Sequence, residues 1–309
     1  MGRTGLGYYR GLGTDINNIM KILNPEENTF NLLMVDLTHR CNMECANCYL
    51  PNRDIPDMDV DKLYEFLKKL PSRVIVRLIG AEPTIRKDLP EIIRNVKDCG
   101  HKVSVTTNGL RLSSKNYVNK LKEAGLRMVL ISMNGAADPD VYAVIDNGRE
   151  YAEMKVKALR NSMEARMIIN TGTIIAKGHN EFTFKDQIDL VRKTMKETNY
   201  RVRIKPILRF KSVGLLGRYM KDSSYTLSEL EEQFDYYVTD ATKVDIIESP
   251  NHAVLANFYE LDDMYIRLID WEADEDGIPD SDNEFRGRVT EDWKVAPFFE
   301  HLKQNEFGY

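Results

Sequence analysis

From Phe30 onward, apolar residues follow two alternating rhythms. Runs with a two-residue period are followed by stretches with a three-to-four-residue period. Strands are predicted at Asn31–Leu37, Arg73–Ile79, Lys102–Thr107, Arg127–Ser132, Ala165–Ile175 and Arg201–Leu208. The helices between them have readable ends. Asp59 suits an N-cap for a helix whose apolar stripe is Val60, Leu63, Phe66, Leu67 and Leu70, with Pro71 stopping it. Asp88 and Ser113 are the expected caps of the next two helices, which end at Gly100 and Gly125. Further helices are predicted within Arg149–Met163, Phe182–Thr198 and Thr226–Thr239.

Six strand-helix units suit either a barrel or a doubly wound open sheet. An open sheet concentrates its ligands at one switch point, whereas a barrel builds its site from many strand ends. Here polar clusters follow nearly every strand: Thr38–Cys48, Gly80–Thr84, Thr106–Gly109 and Ser132–Gly135. That distribution predicts an α/β fold of the barrel-like kind. The expected organisation is an N-terminal extension over 1–29, a core over 30–214, and an α-rich or irregular extension over 215–309.

Composition narrows the class. The chain has 309 residues, 42% apolar and 29% charged, with a net charge of -5. No apolar run reaches the ~20 residues of a membrane span, and the N-terminus lacks a signal-peptide core, so a cytoplasmic protein is expected. Glu260–Glu284 carries eleven acidic residues and one basic, Arg267, which argues against a nucleic-acid partner at that face. Within it, Glu272–Asn283 follows the rhythm of a calcium loop, but Glu stands first and Asn283 twelfth, so a solvated acidic loop is favoured.

Of four cysteines, three form the CX3CX2C run Cys41, Cys45, Cys48. The fourth, Cys99, follows Ile92 and Val96 at helical spacing and reads as a small buried hydrophobe. Three clustered thiols in a reducing compartment point to metal. A zinc site needs a fourth ligand, and the nearest candidate, His39, is cramped by its closeness to Cys41. Three thiolates on a [4Fe-4S] cubane leave one iron open, where chemistry can occur.

This run resembles the signature of the radical S-adenosylmethionine (SAM) superfamily, and its position after the first strand matches that family's incomplete (β/α)6 barrel. The resemblance implies that Cys41, Cys45 and Cys48 hold the cluster, that the open iron chelates SAM, and that reductive cleavage gives a 5'-deoxyadenosyl radical. A low-potential donor such as flavodoxin or ferredoxin is implied as partner. Asn47 stands where the family commonly has an aromatic residue. Gly80-Ala81-Glu82-Pro83 is similar to the family's GGEP motif, which implies that these four residues bind the methionine end of SAM through backbone carbonyls and the acidic side chain. Thr106-Thr107-Asn108-Gly109 and Ser132-Met133-Asn134-Gly135 are similar to the TTNG and SLDG motifs of molybdopterin-precursor and peptide-modifying members. Thr107, Asn108, Ser132 and Asn134 are therefore expected at the cofactor. Turn formation is the competing explanation for both Asn-Gly pairs.

Arg201, Arg203 and Lys205 alternate with apolar residues in the sixth predicted strand, making Arg203 and Lys205 candidate contacts for the SAM carboxylate or an anionic substrate. Asn180 matches a family asparagine in place only. With no second cysteine cluster, a peptide or small-molecule substrate is expected, modified by rearrangement, oxidation or methylation. A glycyl-radical-enzyme activase and a non-catalytic zinc or iron-sulfur binding module are the alternatives. The aromatic segment Trp293–Tyr309 is expected to pack over the barrel as a lid.

Overall fold

The computed structural model describes residues 22–46, 48, 53–201, 204–213, 221–248, 253–270 and 286–297. Six parallel strands follow in chain order: β1 (Leu32–Asp36), β2 (Ile75–Ile79), β3 (Lys102–Thr107), β4 (Met128–Ser132), β5 (Ile168–Ile175) and β6 (Ile207–Ser212). Between and after them lie α1 (Val60–Lys68), α2 (Leu89–Asp98), α3 (Lys115–Glu123), α4 (Pro139–Ile145), α5 (Tyr151–Glu164), α6 (Thr183–Glu197) and α7 (Leu227–Tyr237). The chain then forms β7 (Thr242–Glu248), β8 (Ala253–Leu261), β9 (Met264–Ile269), β10 (Arg286–Val289) and β11 (Val295–Pro297).

These strands make one sheet in the order β11-β10-β1-β2-β3-β4-β5-β6-β9-β8-β7, unclosed among the described residues. The barrel-like six-unit core is as expected. The segment after Gly214 differs: one helix is followed by five strands where a helical or irregular extension was expected. β9 adds in parallel to β6 and β10 in parallel to β1, so this segment extends the core sheet at both edges.

Strand period decides which face is which. Leu33, Val35, Val76, Leu78, Val105, Val129 and Ile169 pack into the helix layer, leaving the alternate residues on the helix-free inner face. Asp59 caps α1 by accepting from the Asp61 and Lys62 amides. Ser114, not Ser113, caps α3, accepting from the Tyr117 amide. Asp88 sits at the head of α2 but makes no cap bond, because Arg86 engages its carboxylate at 2.6 Å. Gly100 and Gly125 end their helices at φ +93° and +107°. Cys99, at the end of α2, packs on the core just before β3, at the end of the sheet opposite the cysteine loop. Trp293 lies against Phe66 of α1, with ring centroids 6.4 Å apart; residues 298–309 of the expected lid, and the acidic loop 272–283, lie outside the described residues.

The sixth strand begins later than expected, at Ile207. Pro206 has no amide hydrogen to give the ladder, so pairing with β5 starts after it. The register is held from the helix side. Phe210 packs edge-on to Phe184 of α6 at 4.8 Å, and Phe184 packs on Phe234 of α7 at 5.5 Å.

Candidate cofactor site at the strand ends

The cysteine loop leaves β1 at Leu37 and is fastened to the next loop by backbone bonds. The Ala81 amide donates to the Thr38 carbonyl at 2.8 Å, and the Glu82 amide to the Arg40 carbonyl at 3.1 Å. Gly80 lies at φ +122°, and a Cβ there would stand 2.3 Å from the Thr38 oxygen. Only glycine lets the two loops touch at this point. Thr38, fully buried, donates through its hydroxyl to Asp57 at 2.6 Å and accepts from the Arg40 amide. Arg86 donates to the carbonyls of Leu37 and Met58, both at 3.1 Å, tying the start of the loop to the start of α1. Sequence reasoning missed Thr38 and Arg86; the signal for Arg86 was a cation just after the Gly80–Pro83 loop.

Cys41, Cys45 and Cys48 are half-buried and free of disulfides. Polar hydrogens are aimed at two of the sulfurs. The Met43 amide reaches Cys41 Sγ at 3.3 Å, Asn108 Nδ2 the same sulfur at 3.9 Å, and Arg53 Nη2 reaches Cys48 Sγ at 3.2 Å. Burial pushes the Cys41 and Cys45 thiols up; at Cys45 the Asp146 charge adds to this and Lys155 opposes it. Such thiols need a nearby cation to ionise. Among the described residues, no three His, Cys, Asp or Glu side chains converge as for a single metal ion. Each cysteine of a cubane binds a different iron and need not converge on a point, so the donor set fits a [4Fe-4S] cluster better than zinc with His39.

Glu82 is fully buried, and its carboxylate is taken up by protein donors. Oε1 accepts from the Thr84 amide at 2.9 Å, the Thr84 hydroxyl at 2.5 Å and the Thr107 hydroxyl at 2.8 Å; Oε2 accepts from the Asn108 amide at 2.6 Å. Burial raises this carboxyl and the four bonds pull it back. The Glu82 carboxylate thereby clamps together the loops after β2 and β3. Thr107 belongs to the same clamp. Asn108 turns its amide to Asn42 Oδ1 at 2.8 Å, linking the loop after β3 to the cysteine loop.

Asn134 is likewise committed inside the protein. Its Nδ2 donates to Asp146 Oδ1 at 2.6 Å, and its Oδ1 accepts from the Ile174 amide at 2.9 Å. Asn180 completes this brace, donating to the carbonyls of Asn134 and Ile174 and accepting from the Ala176 amide. Ser132 stands on the inner face of β4, and its hydroxyl makes no hydrogen bond among the described residues. Beneath the cysteine loop, Lys155 donates to Asp146 Oδ2 at 2.7 Å, both side chains being 1% exposed. The Ile145 carbonyl accepts from the Ala46 amide at 3.0 Å, so the loop rests on the end of α4 beside this ion pair. The readable signal was a lysine among the buried positions Ala152, Leu159 and Ser162 of α5.

Of the expected cation pair, only Lys205 is among the described residues; Arg203 lies outside them. Lys205 precedes β6 and turns to the β8–β9 hairpin, pairing with Glu260 at 2.6 Å and the Asp262 carbonyl at 3.0 Å. The inner-face cations of β6 are Arg209 and Lys211, because the alternation continues past Pro206. Lys205→Ala is expected to leave SAM binding unchanged and to cost less than about 1 kcal/mol, since both partners of its ion pair are solvated. Calorimetric titration with SAM and thermal melting check this; a ten-fold loss of affinity would return Lys205 to the site.

Residues 35–191 match the radical SAM superfamily. The chain belongs to that superfamily. The match spans β1 to α6 and takes in the cysteine loop, Gly80–Pro83 and both Asn-Gly turns. Over 214 residues the chain is 28% identical to a probable GTP 3',8-cyclase of Pyrococcus abyssi, covering 66% of this chain and 65% of that one. Over 143 residues it is 32% identical to the 7,8-dihydro-6-hydroxymethylpterin dimethyltransferase of Methanocaldococcus jannaschii, covering 44% of this chain and 28% of that enzyme. The chain therefore spans less than two thirds of either relative. Its fold is like that of Streptococcus suis SuiB bound to S-adenosylmethionine, with a TM-score of 0.61 at 14% identity, covering 90% of this chain and 62% of SuiB. The cofactors of this radical SAM chain are accordingly a [4Fe-4S] cluster and SAM. Among the described residues no helix is long and apolar enough to cross a membrane.

Proposed function

We propose that this radical SAM chain cleaves SAM reductively and uses the resulting radical to abstract hydrogen from a small-molecule or peptide substrate. The observation that carries this reading is the direct bonding of the cysteine loop to the Gly80–Pro83 loop, which puts the cluster ligands and a set of backbone acceptors side by side. When bound, the cluster supplies the electron that breaks the sulfonium and an open iron for the amino and carboxylate groups of SAM.

The protein's part is to hold and orient. Cys41, Cys45 and Cys48 would hold the cluster, and the donors from Met43, Asn108 and Arg53 would spread the thiolate charge. Backbone carbonyls of Gly80–Pro83 accept from the methionine ammonium, which has only donors to offer. Ser132 contributes an inward hydroxyl. The Glu82 clamp and the Asn134–Asn180 brace keep the ends of β2, β3, β4 and β5 in fixed register, which orients the reacting groups. The electron comes from a low-potential carrier of the flavodoxin or ferredoxin kind. The relatives named above, a cyclase and a dimethyltransferase acting on ring compounds, favour a small molecule over a peptide.

Anaerobic reconstitution with iron and sulfide tests the ligand set. About four irons per chain are expected, and about three, with a cluster prone to loss, in Cys45→Ala. Full and stable iron content in Cys41→Ala, Cys45→Ala and Cys48→Ala alike contradicts the assignment.

A further inference from the structure

Beneath the cysteine loop two charges are buried together. Asp146 and Lys155 pair at 2.7 Å, each side chain 1% exposed. Taking two charges out of water is costly, and an apolar pair of similar volume often serves stability equally well. The position of the pair gives it another use. The Ile145 carbonyl, next to Asp146, accepts from the amide of Ala46, next to Cys45, at 3.0 Å. The carboxylate thus belongs to the chain that touches the loop, while Lys155 reaches it from α5. Both carboxylate oxygens are fixed. Oδ2 takes Lys155, and Oδ1 takes Asn134 Nδ2 at 2.6 Å, with Asn134 held in turn by the Ile174 amide and by Asn180.

A field set up in so dry a place is weakly screened and reaches its neighbours. The Lys155 ammonium lies 5.1 Å from the centre of the Tyr142 ring, and Tyr142, fully buried, donates its hydroxyl to the Ala136 carbonyl at 3.1 Å. The three sulfurs differ in their donors. Cys41 accepts from the Met43 amide and Asn108, and Cys48 from Arg53, whereas Cys45 accepts no hydrogen bond among the described residues. Hydrogen bonds to sulfur and nearby charge are among the means by which a protein sets an iron-sulfur potential. At Cys45 charge takes the larger part. After burial, the Asp146 charge does most to push this thiol up, and Lys155 opposes it less strongly. Of the two ends of the pair, the sulfur feels the negative one more.

We infer that the Asp146–Lys155 pair sets the reduction potential of the cluster held by Cys45, its carboxylate end disfavouring the added electron and so keeping the reduced cluster a strong reductant. The inference rests on the ligand assignment made above for Cys45. Reduction brings one more negative charge to the loop, and a fixed carboxylate beside it opposes that charge. The electron arrives from the low-potential carrier and leaves to the sulfonium of SAM. A lower potential favours the second transfer and makes the first harder, which is why the carrier must itself be of low potential. Asp146 and Lys155 are positioning residues, since both act through Cys45. Asn134 belongs with them because it fixes the direction of the carboxylate.

The test uses the full chain, reconstituted anaerobically with iron and sulfide and without SAM. Its cluster is titrated with a low-potential reductant, and the midpoint potential is read from the electron paramagnetic resonance signal of the reduced state. Asp146→Asn/Lys155→Gln removes both charges and keeps amides that can hydrogen-bond to each other. Its potential is expected to shift upward from the parent, because the charge felt more strongly at Cys45 is the negative one. Lys155→Gln is expected to shift it downward at about pH 9, where the carboxylate left alone is ionised. Lys155→Arg, which keeps the charge, is expected to stay at the parent value. A loop merely loosened by substitution admits water and moves the first two variants the same way. Shifts of the same sign, or no shift in either, overturn the inference. Where Lys155→Gln does not hold its cluster, the double variant decides, and a potential at or below the parent overturns the inference. The iron content of Cys45→Ala reads the ligand assignment separately. Full and stable iron there removes the assignment and this inference with it, whereas iron lost there with potentials unmoved in the pair variants removes this inference alone.

Discussion

Gly80→Ala is expected to weaken SAM binding by about a hundred-fold or more. The added methyl would sit 2.3 Å from the Thr38 carbonyl oxygen, an atom that already accepts from the Ala81 amide at 2.8 Å. Relief requires the two loops to part. A non-glycine residue at φ +122° adds backbone strain of about 1–3 kcal/mol, and the lost interloop bond adds about 1 kcal/mol. Together these make the ~3 kcal/mol that corresponds to a hundred-fold. Calorimetric titration of the reconstituted protein with SAM measures it. Gly100→Ala provides the contrast, since Gly100 has φ +93° with nothing near its added methyl and lies at the other end of the sheet. It is expected to lose about 1 kcal/mol of stability and no SAM affinity. Equal SAM affinity in Gly80→Ala and the parent protein would mean that the contact between the loops does not shape the site.

Asp146→Ala is expected to be the most destabilising single change near the cysteine loop. It leaves the Lys155 ammonium 1% exposed with its partner gone, and it strips Asn134 of an acceptor. Breaking a buried pair from one side costs about 3–5 kcal/mol, whereas removing both charges together costs less. A fall in melting temperature of about 5–8 °C follows for a chain of this size. In Asp146→Ala/Lys155→Met, part of that loss is expected to return. The neighbouring bond from the Ala46 amide to the Ile145 carbonyl transmits the damage to the cysteine loop. Faster iron release to a chelator should therefore accompany the lower melting point. A single variant no less stable than the double one contradicts the ion pair's place under the loop.

Much of the core was legible because its strands are buried on the helix side and bounded by turns. β3 begins and ends at the residues its pattern predicts, Lys102 and Thr107. The sixth strand was displaced because charged and apolar residues alternate on both sides of Pro206 and do not say where pairing starts; Pro206 does. The cations that β6 itself carries are therefore Arg209 and Lys211. α4 was missed because its seven residues are too few to show a helical period, and Val144, 51% exposed, interrupts its stripe. The strands after α7 complete the sheet through edges far away in sequence. No local pattern announces such pairing.

The site divides in the same way. The cysteines and Gly80 were readable because spacing and backbone conformation are properties of short segments. Glu82, Thr107 and Asn134 were readable as important but not in their roles. Which way a carboxylate or amide turns depends on donors supplied by another loop, such as the Asn108 amide for Glu82. Asp146 and Lys155 meet only once α4 and α5 are folded against each other. β9 and β10 come from the segment beyond Gly214, where the family motifs end, and they join the core sheet at its two edges.

The central claim is that the cysteine loop and the Gly80–Pro83 loop form one SAM-cleaving site. Its most direct test is 5'-deoxyadenosine formation by the anaerobically reconstituted chain given SAM and dithionite, followed by chromatography. The account predicts 5'-deoxyadenosine from the parent protein and none above background from Cys45→Ala. Absence of product from a parent protein that holds about four irons and binds SAM would contradict it.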